Sequence, residues 1–400
     1  MTTRWPTVPI SEVMDAFYDG PHATPPVSDE GSIYLGIKNM TEDGRLDLSE
    51  VRRIAWEDFP RWTKRVEPSP GDLVFTYEAS LHRYALIPPG FKGCLGRRVA
   101  LIRPNPSKVD PRFLLYYLIS PSWRSTLTSR INIGSTVDRI PLIDFPNFPL
   151  SLPPMEVQRK IASLLGSYDE LIENNLRRIG ILEDMAQSIY REWFVEFRFP
   201  GHENFVLEDS PVGLVPKGWE VRLVRELVLR LKSSKIYTPA EVESSGPIPV
   251  IDQSRDAILG YHTGEPAHHA TAADPIMVFG DHTCKMQLMS APFSLGPNVV
   301  PFKPRIDLPA PYLFYLIRGL VETREYKRHW VELMSKQVAV TRGSVVAQFS
   351  TTVRPMHDLT RNLRVQVDLL TRARDVLLPK LISGAVDVSE LDIDTSWLAA

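Results

Sequence analysis

Hydrophobic positions between residues 155 and 197 recur at alternating intervals of four and three. The positions in this stripe are Ile161, Leu165, Tyr168, Ile172, Asn175, Ile179, Leu182, Ala186, Ile189 and Trp193. This spacing, kept without a break, predicts one long helix whose apolar seam packs in a coiled coil. Asn175 lies on the seam, where a polar residue commonly fixes the register of the paired helices at some cost in stability.

A second, shorter stripe near the C-terminus repeats the four-three spacing. It consists of Met356, Leu359, Leu363, Gln366, Leu370, Ala373 and Leu377. Two seams in one chain most simply pair with each other, and the helices run antiparallel if the intervening segment returns the chain to the far end of the first module. We expect a first spacer helix over residues 153–199, a second over 354–384, and an acidic, loosely held tail over 385–400.

The segments that precede the two spacer helices share an ordered set of features. Leu95-Gly96-Arg97-Arg98-Val99 returns as Leu295-Gly296-Pro297-Asn298-Val299, and Tyr116-Tyr117-Leu118-Ile119 returns as Phe314-Tyr315-Leu316-Ile317. In the first copy, short β-like runs over 32–37, 72–77 and 99–103 alternate with Pro and Gly turns, and a helical stretch over 111–130 follows. A repeat of this length has the size of a whole domain.

Together these patterns predict an α+β chain. Two similar globular α/β domains, over residues 1–152 and 200–353, are separated by a long antiparallel two-helix coiled coil. The expected shape is a dumbbell with approximate two-fold symmetry. Two similar modules on a stiff spacer suggest a protein that reads two places on one extended ligand, and therefore a binder rather than a catalyst.

Charge and composition limit the kinds of partner and location. The chain has 46 basic and 48 acidic residues, so it has no bulk positive field that would attract a polyanion, and any DNA contact requires a local concentration of cations. It has two cysteines, Cys94 and Cys284, without metal-ligand spacing, as expected in a reducing cytoplasm. No apolar run reaches about eighteen residues, and residues 1–6 lack the apolar stretch of a secretory signal, so we expect neither a membrane helix nor export.

A search for catalytic and metal-binding motifs finds none. No Gly-x-Gly-x-x-Gly or Walker loop occurs, nor does the Asn- or Asp-Pro-Pro-aromatic tetrapeptide that an adenine methyltransferase of the usual kind requires. His268, His269, His282 and Cys284 form no set with the spacing of a tetrahedral metal site. We therefore expect neither catalysis nor a metal in this chain.

Several segments resemble the specificity (S) subunits of type I restriction-modification enzymes, and the resemblance covers nearly the whole chain. The helix-opening segment Leu152-Pro153-Pro154-Met155-Glu156-Val157-Gln158-Arg159-Lys160-Ile161 and the C-terminal segment Arg374-Asp375-Val376-Leu377-Leu378-Pro379-Lys380-Leu381-Ile382-Ser383-Gly384 are individually specific. Residues 188–197 close the helix in the family's manner, and weaker similarity to the recognition-domain motifs lies in 19–25, 34–40, 71–76, 134–137, 248–251 and 258–261. The second module departs from the pattern, because it ends in Thr351-Thr352-Val353-Arg354-Pro355-Met356 rather than in a Leu-Pro-Pro run.

The resemblance implies a non-catalytic DNA reader. Each recognition domain would bind one half of a split DNA target, and the helices would hold the methylation subunits, two by the family's pattern, which would carry S-adenosylmethionine. A motor-nuclease subunit would join for restriction. The alternative is an adaptor that uses its coiled-coil scaffold to bind only proteins, which the near-neutral charge favours slightly. Salt-dependent, sequence-selective DNA binding in the presence of the methylation subunits separates the two.

We expect DNA contacts from polar and basic loop residues of each module. Arg can bond guanine with two hydrogen bonds, and Asn or Gln can do so with adenine. In the first module the candidates are Lys38, Asn39, Tyr77, Arg83, Arg97, Arg98, Ser135, Thr136 and Arg139. In the second module they are Gln253, Arg255, Tyr261, His262, His282, Lys285, Lys336, Gln337 and Arg342.

Overall fold

The chain forms two compact units, each of which combines sheets with helices, as the α+β expectation requires. In the computed structural model, the described residues are 5–131, 137–254, 257–305, 307–323, 325 and 327–396. Unit 1 comprises residues 1–174 and 366–400, and unit 2 comprises residues 175–365. Both boundaries between the units fall inside long helices, Met155–Phe194 and Ser344–Ile382.

The first part of the chain contains nine strands and four α-helices among its described residues. In order they are β1 (Thr7–Pro9), β2 (Met14–Asp19), β3 (Ser32–Leu35), β4 (Arg52–Ile54), α1 (Phe59–Trp62), β5 (Leu73–Thr76), β6 (Tyr84–Leu86), β7 (Gly93–Leu95), β8 (Val99–Pro104), α2 (Pro111–Ile119), α3 (Pro121–Thr128), β9 (Pro149–Ser151) and α4 (Met155–Phe194). Short 3-10 helices lie at Ile10–Val13, Ile37–Asn39, Trp56–Asp58 and Phe145–Asn147.

The remaining part contains eleven strands and four α-helices, again among described residues. They are β10 (Leu207–Ser210), β11 (Gly213–Pro216), β12 (Glu220–Leu223), α5 (Val224–Leu227), β13 (Val228–Arg230), β14 (Ile248–Ile251), β15 (Ile258–His262), β16 (Ile276–Gly280), β17 (Met286–Met289), β18 (Ser294–Leu295), β19 (Val299–Pro304), α6 (Ala310–Ile317), α7 (Trp330–Ser335), β20 (Gln337–Val340) and α8 (Ser344–Ile382). Further 3-10 helices lie at His202–Asn204 and Pro239–Glu241.

Unit 1 is built on a four-stranded antiparallel sheet with the order β2-β8-β5-β6. A three-stranded sheet, β4-β3-β7, lies beside it, and its strands β3 and β7 are parallel. Along β5, Leu73 and Phe75 join the cluster beneath the helices, whereas Val74 joins a second cluster on the other face. Because both faces are covered, all four residues of β5 are buried, and its first three are consecutive apolar residues instead of alternating with polar ones.

Unit 2 repeats this arrangement strand for strand. Its four-stranded sheet has the order β13-β19-β16-β17, and its three-stranded sheet has the order β15-β14-β18 with β14 and β18 parallel. The register also repeats, since Thr76 lies opposite Val99 in unit 1 and Gly280 lies opposite Val299 in unit 2. The similarity that the sequence shows between the two modules therefore extends to their sheet topology.

The predicted seam of α4 is buried or half-buried at every position, from Ile161 to Trp193. In unit 1, Ile161 and Leu165 share a hydrophobic cluster with Leu378 and Leu381 of α8. In unit 2, Arg364 of α8 pairs with Glu183 of α4 at 2.6 Å, and Phe349 packs against Tyr190 at 6.0 Å between ring centroids. Within each unit, later residues of α4 meet earlier residues of α8, so the two segments run antiparallel there.

The second spacer helix differs from its predicted bounds and phase. It begins at Ser344 rather than 354, because Val346, Phe349 and Val353 continue the buried spacing upstream of Pro355. Pro355 is exposed, so solvent can reach the carbonyl that loses its helical partner there. Leu359, expected on the seam, is 39% exposed, and the adjacent Thr360 is buried instead.

Two smaller expectations for unit 1 are also wrong. The helix expected over 111–130 is divided at Ser120, whose side chain caps α3 by accepting a hydrogen bond from the Trp123 main-chain nitrogen. The tail expected to be loose is packed instead: Val388 is 1% exposed in the unit 1 core, and Lys160 Nζ donates to the Ser389 carbonyl at 2.6 Å.

Among the described residues, no helix has the length and apolar character to cross a membrane.

Candidate nucleic-acid interface

In unit 1, a tight turn over residues 96–99 joins β7 to β8, next to the end of β5, where Thr76 lies opposite Val99. Val99 donates its main-chain N–H to the Gly96 carbonyl at 3.3 Å, and Arg98, the third residue of the turn, has φ = 70°. Gly96 is required by close packing, because a Cβ there would lie 1.9 Å from the Leu35 carbonyl oxygen. The turn therefore holds Arg97 and Arg98 at a fixed place on one edge of the sheet.

A cluster of arginines surrounds this turn, and we call Arg65, Arg97, Arg98 and Arg139 the unit 1 arginine cluster. Arg98 pairs with Glu78 at 3.0 Å, Arg65 pairs with Asp19 at 2.6 Å, and the Arg139 guanidinium lies 5.7 Å from the Tyr77 ring centroid. Arg97 is exposed, and its side chain makes no ion pair or hydrogen bond that is seen among the described residues. Four cations thus meet two carboxylates, which is the local positive excess that the overall charge does not provide.

Tyr77 is buried next to this cluster and is hydrogen-bonded to the turn that bears Arg97 and Arg98. It is 1% exposed, and its main-chain N–H donates to the Arg98 carbonyl at 3.1 Å. Burial raises the pKa of the Tyr77 hydroxyl above its ordinary value, and the carboxylate of Asp19 adds to this shift. Because the side chain is buried, Tyr77 supports the arginines instead of presenting a base-reading group itself.

Three other unit 1 candidates have partners inside the protein. Asn39 is 2% exposed; its Oδ1 accepts from the Gly36 nitrogen, and its Nδ2 donates to the Asp47 and Glu50 carbonyls. Arg83 donates to the Met40 carbonyl at 3.1 Å, and Lys38 pairs with Glu50 at 3.1 Å on the surface. Asn39 therefore holds its own loop, contrary to the expected base contact. Ser135 and Thr136 lie outside the described residues.

The corresponding turn of unit 2 has the same geometry with different chemistry. Asn298 has φ = 59°, and the Asp281 nitrogen donates to the Asn298 carbonyl at 2.8 Å, as the Tyr77 nitrogen does to Arg98. Pro297 precedes it, and proline followed by asparagine suits a turn whose third residue has positive φ. This turn carries no charge.

Three unit 2 candidates converge next to this turn. The Gln253 Oε1 accepts from the His282 main-chain nitrogen at 3.0 Å, and Lys285 Nζ donates to the Ser254 carbonyl at 2.9 Å. His282 Nδ1 contacts the Lys327 carbonyl at 3.0 Å. Gln253 lies in the loop after β14, whereas His282 and Lys285 share the loop between β16 and β17, so the fold brings these two loops together.

The remaining unit 2 candidates lie elsewhere. His262 is 6% exposed and contacts the Ser294 hydroxyl at 2.9 Å through Nε2, while Tyr261 exchanges main-chain hydrogen bonds with Glu243. A last group, Lys336, Gln337 and Arg342, lies at the two ends of β20, in a sheet separate from that of β16 and β19. Arg255 lies outside the described residues. His262 is therefore a core residue, contrary to the expected DNA contact.

Unusual backbone conformations concentrate in these loops. Among the described non-glycine residues, seven have positive φ, and six of them lie in the loops around β5–β8 and β16–β19 or in the loop after β14: Ala79, His82, Arg98, Ala257, Cys284 and Asn298. Such conformations cost about 1–3 kcal/mol each and cluster at functional sites. The strain therefore marks the same sheet edge in both units.

Sequence reasoning missed Arg65, Asp19 and Glu78 in unit 1. Their place in the cluster depends on contacts across long separations in sequence, such as that of 46 positions from Asp19 to Arg65, and local pattern carries no signal for it.

No group of three or more His, Cys, Asp or Glu side chains that could hold a metal ion occurs in the part of the chain that the structure describes. His268 instead stacks on Phe293 and contacts the Ser233 hydroxyl at 2.8 Å.

Comparison with known proteins indicates the class of protein to which this chain is similar. Residues 54–182, which include β5, the arginine-bearing turn and most of α4, match the family model described as type I restriction modification DNA specificity domain. The chain is a relative of the specificity subunits of type I restriction enzymes, and the resemblance expected from its motifs is confirmed.

The individual relatives agree with one another. The chain is 24% identical over 302 residues to the type I restriction enzyme MjaIX specificity subunit of Methanocaldococcus jannaschii, covering 69% of each protein. It is 33% identical over 100 residues to the HindI specificity subunit of Haemophilus influenzae, covering 24% of this chain and 21% of that protein. The crystal structure of the type I restriction-modification S subunit from M. genitalium shares the fold, with a TM-score of 0.57, 16% identity, and coverage of 94% of this chain and 96% of that one.

Proposed function

We propose that this chain is the non-catalytic DNA-recognition subunit of a type I restriction-modification complex. Each unit reads one half of a bipartite DNA target through the loops at one edge of its four-stranded sheet. Helices α4 and α8 form the antiparallel coiled coil of a dumbbell, fix the separation of the two half-sites and receive the methylation subunits. Those subunits bind S-adenosylmethionine, and a motor-nuclease subunit completes the complex.

The observation that carries this proposal is the duplicated sheet edge. In both units the strand pair β5–β8 or β16–β19 has the same register and the same positive-φ turn, with polar or basic side chains around it. Two copies of the same sheet edge that carry different side chains suit a ligand with two different half-sites. Phosphate contacts position such a protein, whereas base contacts specify its target. Because base contacts need few charged residues, a chain of near-neutral net charge can still read a sequence.

The two helices support the scaffold part of the proposal through contacts within each unit. Asp169 of α4 pairs with Arg374 of α8 at 2.6 Å in unit 1, and Glu183 pairs with Arg364 at 2.6 Å in unit 2. Exposed apolar side chains on α4, such as Ile181 and Met185, are suited to covering by a protein subunit.

The proposal is tested with the full chain assembled with its methylation subunits. Sequencing methylated adenines in cells that express the system gives the target, and fluorescence anisotropy then measures binding to that duplex over a series of salt concentrations. We expect Arg97→Ala to weaken binding by about 1–3 kcal/mol, roughly five- to 150-fold, whereas complex assembly stays intact.

Lys108→Ala is the matched control. Lys108 is an exposed cation past Pro104, the opposite end of β8 from Arg97. It should leave affinity unchanged. Binding that does not depend on sequence, or equal affinities for the wild-type protein and Arg97→Ala, would contradict the assignment of this edge to DNA.

A further inference from the structure

Unit 2 holds a cationic segment next to its neutral turn. Residues 327–330 are fastened to Asp281, the residue that follows β16. The His329 nitrogen donates to the Asp281 carbonyl at 2.8 Å, and the Trp330 nitrogen donates to Asp281 Oδ1 at 2.8 Å. Asp281 is 8% exposed, so this anchor is a defined part of the fold.

Asp281 holds both the segment and the turn. Its main-chain nitrogen donates to the Asn298 carbonyl, while its carbonyl and carboxylate bind the segment. In unit 1 the equivalent residue, Tyr77, holds the turn that bears Arg97 and Arg98. Asp281 therefore connects the segment that carries Lys327 and Arg328 to the turn that corresponds to the arginine-bearing turn of unit 1.

The charges of this segment are available to an external ligand. The side chain of Arg328 is 75% exposed, and its nearest carboxylate, that of Asp281, is 3.9 Å away. The side chain of Lys327 is 53% exposed and lies 3.9 Å from Glu325 and 4.0 Å from Glu332. These distances are at the outer limit for ion pairs, and exposed pairs of this kind are weak, so a phosphate can take the place of the carboxylates.

We propose that Lys327 and Arg328 contact the DNA phosphate backbone in unit 2, in the role that the turn arginines have in unit 1. This inference rests on the proposed function and adds to it the residues that hold the second half-site. The contact is electrostatic, so it contributes affinity and salt dependence without selecting a base.

The test compares Lys327→Ala and Arg328→Ala with the matched control Arg225→Ala, each in the complete complex with the methylation subunits. Arg225 is an exposed arginine on α5, near the end of β19 that lies away from the turn. Binding to the cognate duplex and to a duplex with a scrambled second half-site is measured over a series of salt concentrations. Thermal unfolding of each variant checks that the fold is intact.

We expect each of the two variants to lower the slope of log K against log salt by about 0.9, the value for one lost phosphate contact on B-DNA. Both duplexes should be weakened by the same factor, Arg328→Lys should restore the slope, and Arg225→Ala should match the wild-type protein. Slopes equal to that of Arg225→Ala, while the wild-type complex still binds its target, overturn the inference and leave the proposed function standing. A loss confined to the cognate second half-site, with an unchanged slope, also overturns it. A wild-type complex that does not bind DNA selectively contradicts the proposed function instead.

Discussion

Replacing Arg374 by methionine should strongly destabilise unit 1. The Arg374 side chain is 9% exposed, and its Nη1 lies 2.6 Å from Asp169 Oδ1. The other oxygen of Asp169 accepts a hydrogen bond from the Tyr116 hydroxyl at 2.5 Å. This network joins α8, α4 and α2. Removing the arginine leaves a carboxylate with 28% exposed side-chain surface and without its countercharge.

The expected loss follows from that geometry. Breaking a buried ion pair by removing one partner costs about 3–5 kcal/mol, because the remaining charge is uncompensated. The partial exposure of Asp169 lets water compensate in part, so we expect the lower end, about 3 kcal/mol. Unit 1 has 209 residues (1–174 and 366–400), and about 1 kcal/mol shifts the midpoint of a domain of this size by roughly 2–4 °C, which gives a drop of about 6–12 °C.

Two further variants make the measurement decisive. Arg372→Met removes an exposed pair with Asp368 on the same helix, at 3.0 Å, and should cost only a few tenths of a kcal/mol. The triple variant Arg374→Met, Asp169→Leu, Tyr116→Phe replaces both members of the Arg374–Asp169 pair and the Tyr116 hydroxyl by apolar groups. It leaves only Asp375, whose side chain is 58% exposed, without its arginine, and it should recover most of the loss. Differential scanning calorimetry of the full chain gives the midpoints. A drop for Arg374→Met no larger than that for Arg372→Met, or a triple variant as unstable as the single one, would refute the reasoning.

Two other predictions concern acid sensitivity and the C-terminal tail. Burial lowers the pKa of His262 below its ordinary value of 6.5, and the charge of Lys235 adds to the shift. Below pH 6.5 the unfolded chain therefore binds a proton at His262 that the native chain does not bind. The stability that the neutral histidine contributes is complete above pH 6.5 and declines as the pH falls below it. The midpoint of unit 2 should therefore fall more between about pH 7 and pH 5 in the wild-type protein than in His262→Gln, and equal pH dependence in calorimetric scans would show that His262 is not responsible. Ending the chain after Gly384 should lower the stability of unit 1 by at least the ~1.5–3 kcal/mol that burial of Val388 contributes, as measured by urea unfolding, and an unchanged midpoint would show that the tail packing is dispensable.

The candidate interface was only partly accessible to sequence reasoning. The repeat located the turn that bears Arg97 and Arg98, because a tight turn before a strand leaves a local signature in the chain. The same reasoning assigned Asn39 and His262 to DNA, although both are buried and hydrogen-bonded within the protein. A polar residue in a loop is compatible with either role, and only the position of its distant partners decides between them.

In the two long helices, too, the sequence predicted some features and only the tertiary structure decided the others. Periodicity alone located the buried stripe of α4, since each buried position is set by the 3.6-residue turn of its own helix. In α8 the phase was wrong in part: Thr360 is buried where Leu359 was expected, and Arg374 is 8% exposed. An arginine can occupy a seam only when a carboxylate such as Asp169 meets it, and that carboxylate lies more than two hundred residues away in the chain.

The sequence by itself determined the local features of this protein: the duplicated set of motifs, the long amphipathic helices and the absence of recognisable catalytic motifs. Those features depend on residues close together in the chain, where backbone geometry turns spacing into structure. The tertiary structure decided which polar groups are buried, which arginines gather around Tyr77, and that Lys327 and Arg328 lie next to the turn at Asn298. Electrostatic and hydrogen-bonding roles depend on distance in space, and folding sets that distance independently of separation along the chain.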